Sequence, residues 1–193
     1  MGELLDKAGA LTRERLAVDA QAGYIPEIGR WLWAMNEVRR RTLRLVDGLD
    51  QRVLDWEGPD GRENAIGTLL YHIAAVEMGW LFVDIKEGDL PPHVKQDFPF
   101  DMASKGRLTP VLQTPLAEHL RRLESSRKIF LDSMKDMSME DWRRFRQPDD
   151  EDYAVTPEWA VFHLVEHEAG HSFQISSLKA RARRLFGSSG VPR

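Results

Sequence analysis

Apolar residues in this chain recur at three- and four-residue intervals over long stretches, the spacing of one face of an α-helix. From Pro26 onward, Ile28, Trp31, Leu32, Met35, Val38, Thr42, Leu45 and Leu49 form one stripe. Proline in the first turn suits a helix start, so the pattern predicts helix 1 from Pro26 to about Leu49. Gly58-Pro59-Asp60-Gly61 marks a turn. Asn64 then stands as an N-cap for helix 2, which runs to about Lys86 with Leu69, His72, Ile73, Val76 and Trp80 on one face. Thr114-Pro115 opens helix 3, carried by Leu116, Leu120, Leu123, Ile129, Phe130 and Met134. Ser138 caps a short helix through Trp142 to Phe145. Thr156-Pro157 is the clearest start, a hydroxyl cap followed by proline at the first helical position. It opens helix 4, which runs to about Phe186 and ends at Gly187-Ser188-Ser189-Gly190.

Between helices 2 and 3, Glu87 to Gln113 holds Pro91, Pro92, Pro99 and Pro110 and shows no helical or strand period. A structureless connection of this length inside a compact domain needs a reason. A crossover running the height of a helical bundle supplies one. No strand pattern or internal repeat is visible, so the expected fold is all-α, a four-helix bundle. The predicted organisation is an N-terminal extension over 1–24, with a weak amphipathic helix from Leu4 to Ala20. The bundle follows over 25–186, then a short tail over 187–193.

Composition narrows the function classes. The 193 residues suit one domain with a full core, and 42% apolar with 30% charged residues is an ordinary globular balance. A net charge of -4 makes no case for nucleic acid. Arg39 to Arg41 and Arg181 to Arg184 read as solvated faces. The absence of cysteine excludes disulfides, thiolate metal sites and cysteine nucleophiles, and fits a cytoplasmic protein. The first residues carry charges throughout and do not form a signal peptide. No uninterrupted apolar run is expected to span a membrane.

The candidate chemistry lies in HLVEHEAGH, where His163, His167 and His171 are spaced four apart, and in LLYHIAAVE, which holds His72. Residues four apart share a helix face, so His167 and His171 can hold one ion. A third imidazole from another helix would complete a three-histidine site with an open position, as a catalytic metal requires. His72 lies about 14 residues before the end of helix 2, roughly 21 Å. His167 and His171 lie about 16 and 22 Å above the start of helix 4. The three are level if helices 2 and 4 are antiparallel, as a long crossover between helices 2 and 3 makes them. A satisfied polar core without metal is the other reading of the same pattern.

LLYHIAAVEMGW and TPEWAVFHLVEHEAGHSFQI resemble the DinB/YfiT-like family of metal-dependent bacterial proteins, and IPEIGRWLWAMNEVRRRTLRLVDGL is similar to its first helix. The resemblance implies an up-down-down-up four-helix bundle, often homodimeric, with a divalent metal, zinc or nickel, on His72, His167 and His171. It implies hydrolysis, or transfer involving a low-molecular-weight thiol, on a small molecule. Where members commonly show His-Arg-Gly-Gln, this chain has His171-Ser172-Phe173-Gln174. An anionic-substrate contact made by that arginine is therefore not implied.

Around the ligands, His163 is expected to line the pocket or bond near the bundle end. Gln174 is a candidate to orient a ligand or a bound water. Glu77, five residues past His72, is a candidate for the pocket rim and also reads as a structural carboxylate. Glu166 and Glu168 are expected to point away from the metal, Trp80 and Trp159 to lie in the core, and His93 and His119 to be loop and surface residues. Three function classes follow: a metalloenzyme, a non-catalytic metal-binding dimer, and a metal-free small-molecule-binding module. No catalytic base stands out in the sequence.

Overall fold

A computed structural model describes residues 16–100, 103–104, 107–148 and 152–187. The described chain is mostly helical, with very little strand. α1 (Pro26–Val46) starts with proline in its first turn and buries Ile28, Leu32, Met35, Arg39, Thr42 and Val46. A short α2 (Gln51–Leu54) follows, capped by Asp50, whose carboxylate accepts from the Val53 N–H at 2.9 Å. α3 (Ile66–Gly79) is buried nearly all round and continues as a π-helical turn over Trp80–Ile85. α4 (Pro92–Asp97) is short. α5 (Leu116–Met134) precedes α6 (Met139–Arg143), where Ser138 accepts from the Asp141 N–H as the sequence predicts. α7 (Pro157–Gly187) is the longest element, and Thr156 Oγ1 accepts from the Trp159 N–H at 3.2 Å.

Four of these helices make the body. Contacts between α1 and α7 advance together along both: Trp31 with Glu158, Arg39 with Glu168, Thr42 with Ser172, Leu45 with Lys179. Contacts between α3 and α5 also advance together, from Gly67 with His119 to Glu77 with Arg127. Those between α3 and α7 run in opposition: Glu63, just before α3, meets Arg181, while His72 meets His167 and Trp80 meets Trp159.

Among the described residues the core holds two large apolar clusters with a charged layer between them, and a small third cluster of Tyr71, Ala75 and Val111. One holds Leu32, Met35, Met78, Leu81, Phe130, Trp142 and Leu164. The other holds Val46, Leu54, Leu69, Leu70, Ile73, Leu123, Ile175 and Leu178. Between them each long helix contributes one ionised side chain: Arg39, Glu77, Arg127 and Glu168. Arg39 Nη2 donates to Glu77 Oε2 and its Nε to Glu168 Oε1, both at 2.8 Å. Arg127 Nε donates to Glu77 Oε1 at 2.5 Å and its Nη2 to Glu168 Oε2 at 3.2 Å. The charges alternate around a closed square, which is how a buried ion cluster avoids an uncompensated charge.

Several expectations need correction. Arg39 is not on a solvated face, because it falls four residues after Met35 on the buried stripe of α1. Ala65 rather than Asn64 stands at the N-cap of α3, and Asn64 Oδ1 is buried with no hydrogen-bond partner among the described residues. The 20-residue run Ile66–Ile85 is long and apolar enough to cross a membrane by length and composition, against the expectation from sequence. Most of it is buried inside the fold, where it packs on α5 and α7. The predicted helix over Leu4 to Ala20 lies mostly outside the described residues, and 16–20 are not helical. So does most of the predicted tail; of it, Gly187 still belongs to α7.

The crossover is less irregular than its prolines suggest. Besides α4 it holds β1 (Ala103–Ser104) and β2 (Arg107–Leu108), paired antiparallel. Its backbone is tied to α3: Tyr71 Oη donates to the Phe100 carbonyl and accepts from the Phe100 N–H, and the Val111 N–H donates to Thr68 Oγ1. Glu87 and Gln113, at its two ends, are the non-glycine residues with positive φ among those described. The chain changes direction there, in the left-handed region that non-glycine residues seldom occupy.

Candidate metal centre

α3 and α7 face each other with three imidazoles between them. His72 lies one turn past Leu69 on α3, and His167 and His171 lie one turn apart on α7. His167 Nε2 is 3.1 Å from His72 Nε2 and 3.1 Å from His171 Nε2. One nitrogen from each ring falls within 4.8 Å of the other two. All three side chains are half-buried.

The outer ring nitrogens differ. His171 Nδ1 is 2.9 Å from Gln174 Oε1. An amide oxygen only accepts, so Nδ1 carries the proton and Nε2 keeps its lone pair for the cluster. His72 Nδ1 is buried with no hydrogen-bond partner among the described residues. Burial first, and neighbouring imidazoles second, push His72 down to about 4 and His167 down to about 3. Burial also lowers His171, against an opposing bond from Gln174 and the charge of Glu168. At neutral pH the rings are therefore uncharged, the form that ligates metal.

The donor set suits a divalent ion. Imidazole nitrogens bind zinc at about 2.0–2.1 Å, and neighbouring donors on one such ion lie a little over 3 Å apart, as His167 Nε2 does from each of the other two. Three neutral ligands leave coordination positions for water or substrate. The structure brings together His72, His167 and His171, and joins Gln174 to His171.

The other candidates lie elsewhere. His163 stands outside the trio, with its ring 5.7 Å from that of His167 and stacked at 3° on Trp159. Glu77 is not at a pocket rim; it is 1% exposed and sits in the charged square beneath the histidines. Glu168 does point away from the imidazoles, but into the core rather than into solvent. It falls four residues after Leu164 and seven before Ile175, on the buried stripe of α7, where the apolar period argues for burial and its charge against it. His119 is not a surface residue but wholly buried, its ring against Gly67. His93 is exposed, on α4. Trp159 is 47% exposed and so not in the core, while Trp80 is partly buried against it.

A cavity of about 990 Å³ between α1 and α5 is lined by none of the histidines. The groove between α3 and α7 is occupied at its two ends instead. Arg62, Asn64, Phe173, Gln174 and Arg181 line a 430 Å³ pocket on one side of the trio. Tyr153 and Trp159 line a 250 Å³ pocket on the other.

Known proteins place this arrangement in context. The chain is 27% identical to the uncharacterized protein YkkA of Bacillus subtilis (strain 168) over 159 residues, 80% of this chain and 87% of YkkA. It is similar in fold to the crystal structure of a conserved protein from Enterococcus faecalis. That similarity has a TM-score of 0.60 at 13% identity and covers 85% of this chain and 98% of the other. The DinB superfamily profile matches residues 34–175, which include His72, His167, His171 and all four members of the charged square. The chain belongs to the DinB superfamily.

Proposed function

We propose that α1, α3, α5 and α7 form an up-down-down-up bundle whose purpose is to hold a divalent metal, zinc or nickel, on His72, His167 and His171. The metal-loaded protein then acts on a small molecule as a hydrolase or as a transferase that uses a low-molecular-weight thiol. The pairwise contacts along the four helices support the topology. One observation carries the metal: three ring nitrogens converge with His167 Nε2 3.1 Å from both neighbours. A proton on His167 Nε2 could be donated well to only one of them, whereas a cation engages all three lone pairs.

A divalent metal held by His72, His167 and His171 would supply Lewis acidity, enough to activate water near neutral pH or to bind a substrate thiolate. The chain's own contribution is positional. Gln174 fixes the tautomer and ring plane of His171. The helical spacing of His167 and His171 sets one edge of the site, and His72 closes it from α3. Glu77 and Glu168, already bonded to two guanidiniums each, are not free to accept a proton during turnover. Because the chain has no cysteine, an external thiol would be the thiolate donor at the ion.

A metal-free small-molecule-binding module is the second reading, favoured by the fact that 3.1 Å is also a hydrogen-bond distance between imidazoles. Elemental analysis of protein purified without a histidine tag separates the two. We expect about one metal per chain in the wild type and in His163→Ala, and loss of metal in His167→Ala and His171→Ala. Stoichiometric metal in both of those variants, or none in wild type after incubation with zinc and with nickel, would overturn the metal reading.

A further inference from the structure

Beyond His167, towards the start of α7, the groove between α3 and α7 is walled by rings. His163 stacks on Trp159 with centroids 5.3 Å apart, and Trp80 lies 5.0 Å from His163 and 5.5 Å from Trp159. Tyr153 stacks on Trp80 at 6.1 Å, and its hydroxyl donates to Asp84 at 2.7 Å, which holds the phenol in place. The series ends at the metal centre, since His163 is 5.7 Å from His167. Trp159 is 47% exposed and Tyr153 36%, and neighbouring Phe145 is 69% exposed. These rings are turned to water beside the start of α7, where core packing does not require them.

The pocket they border has about 250 Å³ and is lined by Phe145, Tyr153, Ala154, Val155, Thr156 and Trp159. Among the described residues, none of the side chains lining it is charged. An apolar cavity of about 150 Å³ is large enough to bind benzene, so this one has room for a single ring with a substituent. Aromatic rings meet aromatic partners in offset or edge geometry, and an uncharged lining gives a charged group no counter-ion.

We propose that the substrate carries an uncharged aromatic ring that seats against Trp159 and Tyr153. A short chain then brings the reacting group to His72, His167 and His171. The assignment rests on the metal-centre reading for its direction, but the ring pocket exists without the metal. His163 is the spacer between the two, which accounts for a histidine in register with the ligands that does not join them.

Two measurements test the inference and keep it apart from the metal reading. In metal-free protein, benzyl alcohol should shift the indole N–H resonances of Trp80 and Trp159, assigned by single Trp→Phe variants, and leave those of Trp56 and Trp142 in place. No movement of Trp159 would overturn the ring pocket whatever the metal does. In zinc-loaded protein, calorimetry compares butyrohydroxamate with 4-phenylbutyrohydroxamate, which share a chelating group and differ by the ring. We expect the phenyl compound to bind about tenfold more tightly. That preference should fall to within about threefold in Trp159→Ala and be retained in Trp159→Phe, with butyrohydroxamate affinity unchanged in both. Equal binding of the two compounds, or a preference that survives Trp159→Ala, would overturn the ring pocket and leave the metal centre standing. Failure of both hydroxamates to bind zinc-loaded protein would overturn the open metal site and with it the path proposed from ring to metal.

Discussion

His119 is wholly buried between α3 and α5, yet neither of its ring nitrogens has a partner among the described residues. Burial is the main reason its pKa is pushed down to about 4; Arg122 lowers it further, and Asp55 and Glu118 act the other way. Unfolded, the same ring would take up a proton near pH 6.5. As pH falls from 6.5 towards 4 the unfolded chain therefore binds the proton first, and stability is lost across that window, by at most about 3 kcal/mol. Replacing His119 with leucine, of similar volume, removes two unpaired polar atoms and the titration together. We expect His119→Leu to be at least as stable as wild type at pH 7 by urea unfolding, and less sensitive to acid between pH 6.5 and 4. A loss above about 1 kcal/mol at pH 7 would mean that the ring is satisfied by bound water. Gln174 poses the opposite test, because it is exposed and bonded to one metal-site ring. Gln174→Leu should leave unfolding unchanged and weaken zinc about 10- to 100-fold in a chelator competition, the usual effect of removing a partner that orients a ligand.

At the scale of elements, α3 and α5 approach closely because Gly67 has no side chain. A β-carbon there would lie 3.0 Å from His119 Nε2 and 3.3 Å from the Val111 carbonyl oxygen. Alanine favours a helix interior by about 1 kcal/mol over glycine, while overpacking costs about 1–3 kcal/mol. We expect Gly67→Ala to be destabilised by about 1 kcal/mol in urea unfolding and to recover stability when His119→Ala is added. If Gly67→Ala is more stable than wild type, α5 can move away and the contact is slack. Local signals of this kind divide what was readable in the chain. Pro26, Ser138 and Thr156-Pro157 set helix starts through their own backbone chemistry, so those starts were legible. The four-residue spacing of His167 and His171 was legible for the same reason, and the level of His72 followed from lengths. Burial of Arg39, His119 and Glu168 was not, because each sits on an apolar stripe as a polar exception. What makes the two charged exceptions tolerable comes from other helices. The apolar period alone placed Arg39 and Glu168 inside; their charge argued the reverse, and only their partners decide between the two.

Across the whole molecule, those partners form a layer joining all four long helices and separating two apolar clusters. Further bonds complete it: Arg39 Nη1 donates to the Leu123 carbonyl, Arg127 Nη1 to Asn36 Oδ1 at 3.0 Å, and Ser126 Oγ to Glu77 Oε2 at 3.1 Å. Apolar surfaces alone permit one helix to slide by a turn against another, whereas paired charges in a dry layer admit one register. The layer lies directly beneath His167, so the register it sets is also the register of the metal ligands. Burial raises the Glu77 carboxyl, but Arg127 and Arg39 outweigh it and hold the pKa below 4.5. Its contribution is thus present above pH 4.5 and is lost as the pH falls through the lowered value. Removing one corner leaves an uncompensated charge, so Arg39→Met should cost about 3–5 kcal/mol. Removing an acid and a base together restores neutrality and leaves Glu77 paired with Arg127. The double variant Arg39→Met, Glu168→Leu should therefore be more stable than Arg39→Met alone in urea unfolding of metal-free protein. It should also bind zinc less tightly than wild type, because three of the four ion pairs that set helix register are gone. Additive losses in the double variant would show that the four charges do not act as a unit, and unchanged zinc affinity would show that the layer does not position the histidines.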